Sequence, residues 1–189
     1  VGCSGNSEPF EEKSYTSDGQ IREVHLDVED REIAVSLSED EQVHIQYFEN
    51  SKEYYDISVS EDGVLTMTSE NSKAWTDYIG VKPSDGDRKI SLQIPDALLE
   101  NHTLSTTNED VTLPALAVAG SVSISSTEGD ITFESLDVGN TLTLSAKNGD
   151  ISGAVVGSYD DFAIQTDIKK GESNLQDKEG GEKTLSVSN

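Results

Sequence analysis

The chain has 189 residues, of which 33% are apolar and 6% aromatic, and 37 acidic side chains against 13 basic ones leave a net charge of −24. That balance excludes nucleic acid as a partner and disfavours an anionic membrane surface, since both need clustered Lys and Arg, and the only adjacent basic pairs are Arg88-Lys89 and Lys169-Lys170. The apolar content suits one folded, thin-cored domain, and no run of 18 apolar residues is present to cross a bilayer as a helix.

The first element is the stretch Val1-Gly2-Cys3-Ser4-Gly5-Asn6-Ser7-Glu8. Cys3 is the sole cysteine, which excludes an intramolecular disulfide. Its setting, a small residue before the cysteine and a Ser-rich, acidic stretch after it, resembles the end of a bacterial lipobox. The resemblance implies a diacylglyceryl group on Cys3 and residues 1–13 as a polar tether. It further implies an extracytoplasmic protein, lipid-anchored to the bacterial cell membrane and touching it only through that anchor.

Residues 14–189 read as one all-β domain. From 14 to 101, apolar residues alternate in short bursts: Val24/Leu26/Val28, Ile33/Val35/Leu37, Val43/Ile45/Tyr47, Ile57/Val59, Leu65/Met67 and Ile90/Leu92/Ile94. Alternation at period two marks half-buried strands, and polar links such as Glu61-Asp62-Gly63 and Ser84-Asp85-Gly86-Asp87 mark turns. This region is expected to be an irregular β meander stacked in line with the repeats of residues 102–189. Asp96–Asn101 after Pro95 allows at most a short turn.

From 102 to 189 the pattern becomes periodic. Leu104-Ser105-Thr106-Thr107-Asn108-Glu109-Asp110-Val111 recurs 20 residues on as Ile124 to Ile131 and again as Leu144 to Ile151, which puts Asp110, Asp130 and Asp150 in one column. Val122, Leu142 and Phe162 form an apolar column, with Leu104, Ile124, Leu144 and Ile164 in another. Asn108, Gly129-Asp130 and Gly149-Asp150 supply turn chemistry, since Gly tolerates positive φ and Asn or Asp can bond their own backbone. Asn-Gly between apolar strands also suits a hairpin, so a meander or sandwich of hairpins competes with a coil; the even period favours the coil. The expectation is a coil-like β stack, a β-solenoid of right-handed β-helix type, with repeats of about 20 residues. Leu185-Ser186-Val187-Ser188-Asn189 either leads into a further turn or caps the stack.

The order of these strands, the Ile94-Pro95 step and the serial Gly129-Asp130-Ile131 and Gly149-Asp150-Ile151 turns together resemble the toastrack domain of adhesin-like bacterial envelope proteins, from about Tyr15 onward. The resemblance implies a single-domain coil-like stack outside the cytoplasm, with no catalytic residue to carry over. Two departures stand out: Glu109 occupies a position where the family has Gly, and Thr166-Asp167-Ile168-Lys169-Lys170-Gly171 breaks the fourth repeat.

Enzyme readings find little to hold. His25, His44 and His102 are isolated on or beside strands, without the spacing of a zinc-protease or nucleophile motif. The chain is therefore read as non-catalytic, with no cofactor and no metal. Stacked Asp110, Asp130 and Asp150 carboxylates would repel by about 1 kcal/mol per pair in water. Turn hydrogen bonds, Lys147 or a bridging Ca²⁺ would offset that, and the calcium-binding Gly-Gly-x-Gly-x-Asp repeat is absent. Tyr54, Tyr55, Trp75 and Tyr78 are the aromatics best placed either to contact a ligand or to cap the first coil. The leading function is an adhesin-like binding module for an envelope or extracellular protein or glycan. The alternatives are an envelope-stress regulator touching a membrane partner and a carbohydrate-active solenoid.

Overall fold

The computed structural model describes residues 8–71, 84–96, 99–157, 159–168 and 172–189. Among the described residues the strands are, in chain order, β1 (Glu11–Thr16), β2 (Glu23–Asp27), β3 (Glu32–Leu37), β4 (His44–Glu49), β5 (Glu53–Val59), β6 (Val64–Asn71), β7 (Lys89–Ile94), β8 (Leu99–Thr106), β9 (Val111–Leu113), β10 (Leu116–Ser126), β11 (Ile131–Val138), β12 (Thr141–Ala146), β13 (Ile151–Val155), β14 (Phe162–Asp167) and β15 (Lys183–Ser188). The only helical element among the described residues is a 3₁₀ turn at Tyr159–Asp161.

They stack as two facing ladders. One runs β1-β4-β7-β3-β9-β11-β13 and the other β5-β6-β2-β8-β10-β12-β15-β14, with a further parallel contact between the start of β10 and the end of β11. Among the described residues the strand–strand ladders are parallel except β1–β4, β4–β7 and β5–β6 at one end. Parallel ladders with identical register are the mark of a coil, because each turn repeats the path of the one beneath it. Val122 lies opposite Leu142 and Ile124 opposite Leu144, as the 20-residue period requires.

The core is a set of columns. Leu65, Val24, His102, Val122, Leu142 and Leu185 follow one another up one ladder, and Met67, Leu26, Leu104, Ile124, Leu144 and Val187 run beside them. Ile90, Ile33, Val111, Ile131 and Ile151 face them from the other ladder. Most of these side chains are fully buried, and each fully buried aliphatic contributes about 1.5–3 kcal/mol. Most outward residues between them bear hydroxyls, with His25 and Ala34 as exceptions, and Ser125 donates to Ser105 Oγ at 3.0 Å across one coil step.

Three expectations change on contact with the structure. The strands from 14 to 101 do continue the stack, but the inner ones pair in parallel with partners distant in sequence rather than with chain neighbours: β2 lies between β6 and β8, and β3 between β7 and β9. Period-two patterning reports which face is buried, not which strand is the neighbour, so this insertion left no local trace. Glu11–Lys13, expected to belong to a tether, are instead part of β1 and lie in the sheet.

The third change is at the far end. β15 does not cap the stack; it inserts between β12 and β14. Leu185 therefore occupies the level above Leu142 where Phe162 was expected, and β14 sits one level further with Ile164 opposite Leu185.

Glycine is required where coils approach most closely. A Cβ on Gly129 would lie 2.0 Å from the Glu109 carbonyl oxygen, and one on Gly149 would lie 2.1 Å from the Gly129 carbonyl oxygen. Gly129→Ala is expected to cost about 1–3 kcal/mol in urea unfolding, whereas Gly86→Ala, with open space around it, should change stability by at most about 0.5 kcal/mol. Equal stabilities for the two variants would refute this close stacking.

Candidate functional site

The turns of the repeats lie directly over one another. The Asp130 N–H donates to Asp110 Oδ1 at 2.8 Å, and the Asp150 N–H donates to Asp130 Oδ1 at 2.9 Å. Each of the two lower carboxylates is thus bonded to the backbone of the next coil, which answers the repulsion expected of stacked Asp side chains. Asn108, at φ 64°, donates from its amide to the Asp30 carboxylate, and Asn148 Nδ2 donates to Glu128 Oε1 at 2.9 Å. Among the described residues, no group of His, Cys, Asp and Glu is placed to hold a metal ion.

Glu109 occupies the first place of the glycine column. Its carboxylate turns to Arg88 Nη1 at 2.5 Å, while Arg88 Nη2 holds Asp85 at 2.6 Å. Burial raises the Glu109 pKa, and the Arg88 charge opposes that rise. A raised carboxyl is what acid–base cleavage of a glycan needs, but this one is engaged by a guanidinium in a turn.

The aromatic candidates separate. Alternation along β5 leaves Tyr54 39% exposed and turns Tyr55 toward the core. Arg31, only 4% exposed, donates from Nε to the Tyr55 hydroxyl at 2.6 Å, faces Glu53 at 3.4 Å and lies 6.0 Å from the ring centres of Phe10 and Tyr55. Tyr47 meets Tyr55 edge-on at 5.3 Å. Tyr55 therefore closes the first end of the stack. Trp75, Tyr78 and Cys3 lie outside the described residues.

The three histidines divide likewise. His44 is bonded by Asp40 at 2.9 Å and Thr16 at 3.0 Å, and His25 reaches Glu23 at 3.3 Å. His102 sits inside, between Val24 and Val122, and burial holds its pKa down to about 4.

The far end of the stack holds a cleft that no sequence motif announces. The ladder ending in β13 stops short, while the opposite ladder continues through β15 and β14. Among the described residues no strand faces Phe162, Ile164, Leu185 and Val187, which line a cleft of about 830 Å³ with Ile168 and with Leu175, whose packing helps to bury the first three. Its rim carries Asp150 and Glu172, the only charged side chains lining it among the described residues. The available signal was the broken fourth repeat, which deprives Ile151–Val155 of a coil above it.

The model of the family described as Toastrack DUF4097 matches residues 21–187. The fold is similar to the crystal structure of a "putative cell adhesion protein" from Clostridium sporogenes, at 12% identity and a TM-score of 0.45 over 95% of this chain and 94% of that one. It is also similar to that of a "putative adhesin" from Bacteroides fragilis, at 13% identity and a TM-score of 0.33 over 96% and 98%. No curated protein matches the chain in sequence.

The buried groups lead to two expected outcomes. Because the folded pKa of His102 lies below its unfolded value of about 6.5, its neutral form is favoured by folding; the associated stability is complete above pH 6.5 and is lost as pH falls toward 4. That loss should approach about 3 kcal/mol in urea titrations and shrink in His102→Val, and an unchanged pH profile would contradict it. Tyr55→Phe should cost about 1.5–3 kcal/mol through its bond to Arg31, while Tyr54→Ala stays within about 0.5 kcal/mol; the reverse order would undo the assignment of Tyr55 to the end cap.

Proposed function

The chain belongs to the Toastrack DUF4097 family, and from that premise we propose that it is a non-catalytic, adhesin-like binding module displayed outside the cytoplasm. The observation that carries this reading is the end cleft, where the shorter ladder stops and Phe162, Ile164, Leu185 and Val187 line a cavity over which Leu175 packs. Concave, mostly apolar sites with few polar groups are where proteins take ligands. Glu109, whose carboxyl is raised by burial, is not among the residues lining the cleft and is paired with Arg88, so binding is better supported than glycan cleavage.

The ligand is an envelope or extracellular protein or glycan, and a lipid on Cys3 holds the module at the membrane surface. The proposed role of the Ser and Thr ladders is a regular, water-facing flank that keeps the stack apart from its neighbours.

Arrays of extracellular peptides and glycans, probed with the purified chain, provide the test. A bound ligand should protect the amides of Ile151–Val155 and Phe162–Asp167 from hydrogen exchange and leave those of Glu53–Val59 unchanged. Failure to bind either array, or hydrolysis of an arrayed glycan, would overturn the reading. Mass spectrometry of native protein should show a diacylglyceryl adduct on Cys3, and an unmodified thiol there would remove the anchor.

A further inference from the structure

We propose that the outer edge of β13 is a strand-addition site for an extended, cationic polypeptide, which would continue the shorter ladder and cover the end cleft. The proposal deepens the reading of the cleft as a binding surface and rests on it.

The geometry begins with which backbone groups face outward. The Asp150 carbonyl accepts from the Ile131 N–H at 2.8 Å, and the Val156 N–H donates to the Leu136 carbonyl at 2.9 Å, so these residues turn toward β11. In a parallel ladder alternate residues turn both backbone groups to one neighbour. Ile151 and Gly153, and Val155 beyond the register shift, therefore turn away from β11, and they have no backbone partner among the described residues.

The opposite ladder is closed where this one is open. Ile164 in β14 exchanges both backbone bonds with Lys178, at 2.8 and 2.9 Å, and the Thr166 N–H is taken by Asp177 Oδ1 at 2.7 Å. Among the described residues, an incoming strand consequently has its place to pair at this end beside β13. There it would lie about 4.8 Å beyond that strand, level with β15, and its inward side chains would meet the half-buried Val187 and, on displacing the cover above them, the buried Phe162 and Leu185. Leu175, only partly buried, is the side chain that would have to yield.

Charge selects among occupants. A second copy of a chain carrying −24 would bring like charge against Asp150 and Glu172 at the rim. A polypeptide alternating aliphatic with Lys or Arg side chains would direct the aliphatic set inward and the cations toward those carboxylates. Strand addition of this kind takes affinity from main-chain bonds and specificity from alternate side chains.

The probe is a synthetic nonapeptide alternating valine with lysine, titrated into the full chain by fluorescence anisotropy and followed by hydrogen exchange. The expected result is binding that protects the amides of Ile151, Gly153 and Val155, weakens at least tenfold between 50 mM and 500 mM salt, and weakens about threefold or more in Glu172→Lys. The same peptide N-methylated at alternate residues should lose binding at least tenfold. Equal binding of the methylated peptide, protection confined to β5 or to the Ser/Thr flanks, or equal binding of a valine–glutamate peptide would each overturn strand addition. So would a chain that forms dimers through β13 and excludes the peptide. If the valine–lysine peptide fails while an arrayed ligand still protects the cleft, only the strand-addition proposal falls; if no ligand binds at all, the binding-module reading falls with it.

Discussion

Everything in this molecule depends on one coil having to lie in hydrogen-bonding contact with the next, at the spacing of neighbouring strands. At that distance, identical positions in successive coils touch, so each position must tolerate its own kind. Asp satisfies the rule by accepting the backbone N–H of the Asp above, as Asp110 does for Asp130 and Asp130 for Asp150. Gly satisfies it by having no side chain between its backbone and the carbonyl beneath, at Gly129 and Gly149. Aliphatic residues satisfy it by forming columns. His102 is the exception within a column, kept neutral by burial among Val24 and Val122.

The stacking rule does not require that layers succeed one another in chain order. The β2–β3 layer enters early in the chain yet lies in the middle of the stack, with β6 and β7 on one side and β8 and β9 on the other. β15 repeats the device at the other end, between β12 and β14. Both insertions tie together segments far apart in sequence. Non-local pairing of this kind also slows folding, because loop closure precedes the contacts that reward it.

What could be read from the sequence divides along the same line. The coil, its 20-residue step and the columns through Leu104, Ile124 and Leu144 were legible because every copy repeats the same chemistry at the same interval. The placement of Phe162 and Ile164 was not, because the strand that displaces them, β15, lies about twenty residues further along the chain and looks like any other alternating segment. Tyr54 and Tyr55 were legible as an aromatic pair but not as one exposed ring and one end cap, since that distinction depends on Arg31, which approaches from another layer. The cleft escaped for a related reason: it exists through a difference in length between two ladders, and no residue in it is unusual by itself.

A solenoid has to end, and each end exposes strand edges that invite pairing with any passing chain. Here the ends are treated differently. Near the first, the Tyr55 N–H is taken by Glu49 Oε2 at 3.1 Å, and the buried Arg31 anchors the aromatic cover. At the other, β14 is closed by Lys178 and Asp177. The remaining edge at this end, β13, borders a cleft lined by apolar side chains of the opposite ladder, and the charged residues described at its rim, Asp150 and Glu172, are acidic. A high negative charge protects such an edge from copies of the same chain while leaving it open to cations. The charge that first appears as a general property of the surface thereby becomes a filter at one place, where the rule that builds the stack is left one strand incomplete.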